Sequence, residues 1–310
     1  MGWKIIDIDQ PCILKTYLNN LIILTTKRLS IPMSDIDVLM ISDTKINLTV
    51  NAINELINNG VCIILCNGKH LPNSYILGYN VQKQGAGNFK KQLNWSEAFK
   101  SNCWNWILKI KINNQLDLLD FYQSNDSDWK EVINNADDLD DVMQMYEAKI
   151  ASYFFRQLFG KSFNRNKEYL TNSCLDYGYI VLTNMVARSI TKKGLHPQIA
   201  FYHGSIYSAF PLAYDIVEIF RIAIDLFVKN LFENNLIKNK DLTLTRDIKN
   251  CLLDYISNYK ICIDGKFEYI NNAIDKVIDW IINQDFLDHQ ITYDFAIEGT
   301  NYELQLKEQI

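Results

Sequence analysis

Gln82-Lys83-Gln84-Gly85-Ala86-Gly87-Asn88 marks the point where the hydrophobic patterning of this chain changes period. On its N-terminal side lie short β-branched and aromatic runs: Trp3–Ile8, Cys12–Leu18, Leu21–Thr25, Ile36–Ile41 and Val61–Leu65. Such runs, separated by polar breaks, read as strands, with Asn19-Asn20 as a hairpin turn. One helix interrupts them over Leu48–Asn59, where Leu48, Ala52, Ile53, Leu56 and Ile57 fall at helical spacing and Gly60 follows the end. On the C-terminal side the period lengthens. Ser96–Ile112 starts with Ser-Glu-Ala, Leu139–Phe159 stops at Gly160, and Asn172–Lys193 stops at Gly194. Phe210–Phe232, Leu242–Lys260 and Asn271–Ile282 continue the helical pattern, and Gln290–Phe295 looks strand-like. The expected fold class is α+β. A small β-rich, β-sandwich-like domain (1–80) precedes a linker (81–95) and a larger all-α domain (96–310).

The 310 residues are 48% hydrophobic and 22% charged, the balance of a globular rather than a disordered chain. Runs such as Val61–Cys66 are far shorter than the ~20 residues of a membrane span. The start lacks a signal-peptide h-region, and position 6 is Ile where myristoylation needs Ser or Thr. A soluble cytoplasmic protein without a membrane partner is expected. Seven Cys is an odd number and argues against a disulfide framework. Cys62, Cys66 and His70 have half-site spacing for zinc, but the Cys lie in an apolar run and no second pair completes four ligands.

The net charge of −5 is an average over opposite regions. Ile76–Asn114 holds six Lys and one Glu (+5), and Phe154–Arg221 holds eight basic and four acidic residues (+4). Asp117–Asp141 holds nine acids and one Lys (−8). A nucleic-acid partner is therefore not excluded by overall acidity.

Only four His occur. His70 and His289 read as solvated, and His196 precedes Pro197 and so reads as a loop residue. His203 stands just ahead of a helical pattern carrying Asp215 and Glu218, which lie three apart on one face with Pro211, Tyr214, Ile222 and Asp225. Carboxylates among apolar residues need compensation, and a cation supplies it. Glu147 repeats the pattern on another helix. Glu147, His203 and Glu218 together suit Mg²⁺ or Mn²⁺ with open positions for phosphate oxygens. Spacing alone leaves another reading open, in which they are surface carboxylates paired with Lys149 or Arg221.

At these residues the chain resembles the CRISPR-associated integrase–endonuclease family Cas-one (Cas1), most closely its type II form. The resemblance rests on several motifs in order: Gly2-Trp3-Lys4, Ile31–Asp37, Asn59–Cys66 with Lys69–Pro72, and Glu147–Gly160. Leu175-Asp-Tyr-Gly-Tyr179, Gly194–His203 and Leu212–Arg221 complete it. It implies that Glu147, His203 and Glu218 are catalytic metal ligands, with Asp215 and Arg221 supporting. Pro211, Ile219 and Ile222 depart from the family pattern without removing a ligand.

The resemblance also implies the reaction. A DNA 3′-hydroxyl attacks a phosphodiester at the end of a CRISPR repeat by direct transesterification, and hydrolysis is the same chemistry with water. The implied partners are double-stranded protospacer and repeat DNA, a second copy of the chain, and the small Cas-two (Cas2) protein. A type II DNA-end ring protein and effector nuclease are further implied partners. Candidate phosphate contacts are Lys83, Lys90, Lys91, Arg156, Lys161, Arg165, Lys167, Arg188, Lys192 and Lys193. Tyr177, Tyr179 and Tyr202 are candidates for stacking near the site. A structure-selective nuclease for branched DNA and a non-catalytic DNA-binding scaffold are the competing readings.

Overall fold

Two four-stranded sheets build the N-terminal region. The computed structural model describes residues 4–68, 72–76, 78, 85–124, 139–204, 210–237 and 244–295. Strands β1 (Lys4–Ile8), β2 (Ile13–Tyr17), β3 (Asn20–Leu24), β4 (Arg28–Pro32), β5 (Ile36–Ile41) and β6 (Asn47–Leu48) precede helix α1 (Val50–Asn58). Strands β7 (Cys62–Cys66) and β8 (Pro72–Ile76) follow it. One sheet has the order β1-β5-β7-β8, its first three strands parallel; the other runs β4-β3-β2-β6. The hairpin turn falls one residue earlier than expected. Tyr17 pairs with Asn20, so Leu18 and Asn19 are the central residues, both at positive φ, and Asn20 Nδ2 donates to Leu18 O at 2.7 Å.

The run Val61–Cys66 is apolar because its sheet is covered on both faces, as parallel strands usually are. Leu39, Val61 and Ile63 face the core shared with the second sheet, whereas Val38, Met40, Cys62 and Ile64 belong to the core of the helical region. Burial pushes the Cys62 thiol up to about 12, as suits a core side chain rather than a metal ligand. All seven cysteines are free, and His70 lies outside the described residues.

The expected linker is largely helical. Helix α2 (Gly85–Leu93) contains its Gly-Ala-Gly sequence, and tertiary bonds override the weak propensity. Gln92 Nε2 donates to His196 O and Ile199 O (2.9 and 3.0 Å), and its Oε1 accepts from His196 N at 2.6 Å. Asn88 Nδ2 donates to Lys193 O at 2.7 Å.

Helices α3 (Glu97–Phe121), α4 (Leu139–Phe159) and α5 (Leu170–Lys192) follow, α3 capped by Ser96 and extending nine residues past its expected end. The long helix expected over 210–232 is broken into α6 (Pro211–Val217) and α7 (Arg221–Glu233). Between them Ile219 N and Phe220 N bond three residues back, to Ile216 O and Val217 O. Tyr293 Oη donates to Ile219 O at 2.7 Å. Helices α8 (Arg246–Asn258) and α9 (Ile270–Asn283) flank strands β9 (Lys260–Ile263) and β10 (Lys266–Tyr269). With β11 (Ile291–Thr292) these form a sheet ordered β10-β9-β11, so the helical domain carries a small sheet where an all-α one was expected. The strand-like reading near 290 thus falls on β11. Residues 125–138, most of the acidic stretch, and 296–310 lie outside the described residues. Among the described residues no helix is long and apolar enough to cross a membrane.

Candidate active site

The helix break delivers Glu218 to the centre of the helical region. Its side chain is 5% exposed, at the end of α6, and Arg221 at the start of α7 places Nη1 2.8 Å from Glu218 Oε1. From α3, Lys111 Nζ lies 2.9 Å from Glu218 Oε2 and 2.8 Å from Glu147 Oε1 on α4. The Glu218 contact is an ion pair off the line of a hydrogen bond. Burial alone would raise the Glu218 carboxyl, but Lys111 and Arg221 outweigh it and hold the group below its ordinary value. Burial likewise works against charge on Lys111, and Glu218 and Glu147 reverse that, raising its ammonium.

His203 belongs to the turn before α6, and Asp215, with no exposed surface, organises that turn. Asp215 Oδ2 accepts from Phe201 N (2.7 Å) and Tyr202 N (3.1 Å); Oδ1 accepts from His203 N at 3.2 Å and lies 2.6 Å from His203 Nδ1. The Asp215 bond raises the imidazole above its ordinary value against the effect of burial, with Glu218 and Glu147 adding to it. Nδ1 is thereby engaged, leaving Nε2 as the other ring nitrogen, the division seen in carboxylate–histidine pairs at metal sites. Trp104 stacks on Tyr202 (centroids 4.6 Å, interplanar angle 4°) and meets the His203 ring edge-on at 5.5 Å.

Glu147 and Glu218 are therefore brought to one point, and the cation between them is Lys111. Among the described residues no three His, Cys, Asp or Glu side chains converge closely enough to enclose a metal as they stand. The donor chemistry fits Mg²⁺ or Mn²⁺: two carboxylates already share a cation, beside an imidazole with one nitrogen uncommitted. Lys149 is not the partner of Glu147 in this arrangement; Lys111 is.

A cavity of about 810 Å³ opens beside the ion-pair cluster, lined by Lys111, Gln115, Phe155, Arg165, Tyr177, Tyr179, Glu218, Arg221, Asp225 and Lys249 among others. Gln115 Oε1 and Arg221 Nε are buried there without a hydrogen-bond partner. Arg221 lies over the Tyr179 ring at 4.9 Å, and Arg165 bonds Asn172 and Asp176. Tyr179 Oη donates to Asp225 at its far wall. Tyr177 is buried against the β-region, its hydroxyl 3.8 Å from Met40 Sδ, and so packs rather than presents a free face.

The other basic candidates divide by environment. Arg156, Lys161, Arg165 and Lys167 line a second, polar cavity of about 420 Å³ with Asn164 and Asn166. Lys90 and Lys91 are exposed on α2. Lys192 and Lys193 pair with Asp275 and Asp279 of α9 at 2.7 and 2.5 Å. Arg188 is buried and spent on Asp37 and the Gly60 carbonyl, so its guanidinium is unavailable to phosphate. Lys83 lies outside the described residues. His289, expected to be solvated, instead stacks on Trp280 at 3.8 Å and lies 2.8 Å from Asp264.

Sequence reading missed Lys111, Gln115 and Trp104 as parts of the site. The signal was available: Trp104, Ile107, Leu108, Lys111, Ile112 and Gln115 share the buried face of α3, and a lysine on such a stripe requires a partner.

The family described as CRISPR associated protein Cas1 matches residues 8–262. The CRISPR-associated endonuclease Cas1 of Neisseria meningitidis serogroup C (strain 8013) is 32% identical over 250 residues, covering 80% of this chain and 81% of that one. Among solved structures, a casposase bound to integration product has a TM-score of 0.71 at 18% identity, covering all of both chains. TM1797, a CAS1 protein from Thermotoga maritima, has 0.69 at 16% identity over 94% of this chain and 99% of that one. A chain of a Cas6-RT-Cas1--Cas2 complex has 0.68 at 15% identity over 94% of this chain and 36% of its own length. At these identities the structures speak to fold, an N-terminal β-rich region followed by a helical domain, while the family match and the Neisseria relative speak to descent. The chain that joins Glu147 and Glu218 through Lys111 in this fold belongs to the Cas1 family.

Proposed function

We propose that this chain is a metal-dependent DNA integrase and endonuclease of CRISPR adaptation, inserting new spacer DNA at the repeat by 3′-hydroxyl transesterification. The observation that carries this reading is the meeting of Glu147 and Glu218 on one cation beside an imidazole fixed by Asp215. The relatives named as a CRISPR endonuclease and as a casposase on its integration product support it.

Glu147, Glu218 and the free nitrogen of His203 would hold Mg²⁺ or Mn²⁺. Bound there, the ion supplies polarisation of the phosphoryl oxygen and stabilises charge on the leaving 3′-oxygen. The chain does the remaining work. Asp215 fixes the His203 ring through Nδ1, so that the imidazole neither rotates nor changes tautomer as DNA arrives. Arg165 and Arg221 line the adjoining cavity and would draw the phosphate into it, and the buried Nε of Arg221 gains an acceptor there. The Trp104–Tyr202 stack walls one side of His203. Arg156, Lys161 and Lys167 would hold the DNA backbone farther out, where contacts position without reading sequence.

The partners in this reading are protospacer and repeat DNA, a second copy of the chain, and Cas2. The solved Cas6-RT-Cas1--Cas2 complex contains the same fold. The type II ring protein and effector nuclease belong to the same proposal.

The test combines purified protein, its Cas2, Mg²⁺ or Mn²⁺, short duplex DNA and a repeat-bearing plasmid. Strand transfer should require the metal and fall sharply, to a residual level, in Glu147→Ala and His203→Ala. Undiminished transfer by either variant would overturn the site assignment, and efficient joining without Cas2 would favour a self-sufficient enzyme.

A further inference from the structure

Lys111 occupies the point where the two carboxylates meet. Its side chain is 10% exposed, and its Nζ sits 2.8 Å from Glu147 Oε1 and 2.9 Å from Glu218 Oε2. Without a cation there, two carboxylates would face each other across a buried site, one of them only 5% exposed, and like charges so placed repel strongly. Mg²⁺ binds oxygens at about 2.0–2.1 Å. An ammonium and a divalent ion cannot share that position.

A second observation indicates where the ammonium goes. Gln115 stands four residues farther along α3, on the same face, and lines the same cavity. Its Oε1 is buried and has no hydrogen-bond partner. An unfilled buried acceptor within a flexible lysine's range is costly unless something visits it.

We propose that Lys111 is a built-in counter-ion for Glu147 and Glu218 that must swing away before a divalent cation binds, with Gln115 Oε1 as its alternative acceptor. This rests on Glu147 and Glu218 being the metal ligands. Lys111 thereby keeps the two carboxylates together in the metal-free protein and lowers metal affinity, so that metal entry competes with an internal charge. It is a positioning residue, and its effect is read in binding and stability, apart from turnover.

The test is calorimetric titration of the full-length protein with Mn²⁺, alongside thermal unfolding with and without Mn²⁺. Lys111→Met should lower the unfolding midpoint of the metal-free protein and tighten Mn²⁺ binding by about tenfold, the scale of one removed charge contact. Mn²⁺ should then raise its midpoint more than it raises the wild type's. Lys111→Arg keeps the charge and grips carboxylates through a planar fork, so it should bind Mn²⁺ no better than wild type. Gln115→Met should weaken Mn²⁺ binding several-fold while Lys111 is present and have no effect on top of Lys111→Met. Unchanged or weaker Mn²⁺ binding by Lys111→Met overturns the proposal. If that variant does not fold, tighter binding by Lys111→Arg, or unchanged binding by Gln115→Met, overturns it. Glu147→Gln separates the two levels. Wild-type Mn²⁺ affinity in that variant would refute the metal-site reading itself, whereas lost affinity there with an unmoved Lys111→Met refutes only the role of Lys111.

Discussion

Arg188, near the end of α5, places Nη1 2.6 Å from Asp37 Oδ1 on β5, and the same guanidinium bonds the Gly60 carbonyl through Nε and Nη2 at 3.0 and 2.6 Å. One side chain thus fastens the β-region to the helix that carries the Asp-Tyr-Gly-Tyr motif. Gly60 sits at φ +79°, a left-handed position at the end of α1, and its turn presents the carbonyl to the arginine. Burial raises the Asp37 carboxyl, and Arg188 partly offsets this.

Removing the arginine alone should therefore be worse than removing both partners. Arg188→Met leaves Asp37 buried without its cation and is expected to destabilise by about 3–5 kcal/mol, the range for breaking a buried pair. Arg188→Met/Asp37→Leu should recover part of that loss, because no unpaired charge remains. Urea denaturation of the single and double variants measures the difference. Additive losses would show that the pair is not coupled.

Gly178 reports another close approach. A Cβ built there would lie 2.6 Å from Ile224 Cγ2, so α5 and α7 touch where α7 has just begun. Gly178→Ala gains helix propensity but overpacks this contact, and the second effect should win by about 1–3 kcal/mol. Ile224→Ala relieves the clash, and the double variant should be less destabilised than the sum of the two singles. Additive thermal-unfolding losses would place the cause elsewhere.

These contacts show what the sequence made legible and what it did not. Local periodicity identified Ile36–Ile41 to the residue and α4 in full, because their apolar pattern is set by the core they face. The Gly-Ala-Gly of α2 failed because a helix of poor propensity is held by Gln92 and Asn88, more than a hundred residues from their partners. The break at Glu218 failed because the apolar pattern runs through it without a pause. Tyr293, more than seventy residues farther along the chain, takes up the Ile219 carbonyl. Glu147, His203 and Glu218 stood out through chemistry and family resemblance. Lys111 did not, since only the fold places it between two carboxylates.

Asp225 gives the stability a pH dependence with a definite sign. It lies on α7 and accepts from Tyr179 of α5, with Arg165, Arg221 and Glu218 as the charged neighbours that act on it. Burial raises its carboxyl to about 7, against partial opposition from the Tyr179 bond and the two arginines. Between its ordinary value near 3.8 and about 7 the folded protein holds a proton that the unfolded chain has lost. Stability from this group therefore falls as pH rises through that window and is flat above it. Asp225→Asn should remove the slope, so that the wild type loses more stability than the variant between pH 4 and pH 8. Parallel profiles in urea titrations would refute the assignment.

Asp215 makes the most exacting demand on a single side chain near the site. Its two oxygens accept three backbone N–H groups, from Phe201, Tyr202 and His203, and one lies 2.6 Å from His203 Nδ1. A carboxylate can serve all four, because both oxygens accept and neither donates. Asn cannot: its amide group would point a donor at backbone N–H groups or at the imidazole. Asp215→Asn is the same size and uncharged, so the expected defect is geometric as well as electrostatic. It should reduce strand transfer by about 10–100-fold, the usual loss when a histidine ligand's outer partner is removed. It should also lower the unfolding midpoint, since the turn before α6 loses its anchor. His203→Ala in the same background separates the two effects. If Asp215 acts through His203, transfer by the double variant should match His203→Ala alone, while the stability loss from Asp215→Asn persists. A further fall in transfer on top of His203→Ala would mean that Asp215 contributes by a route that bypasses the imidazole.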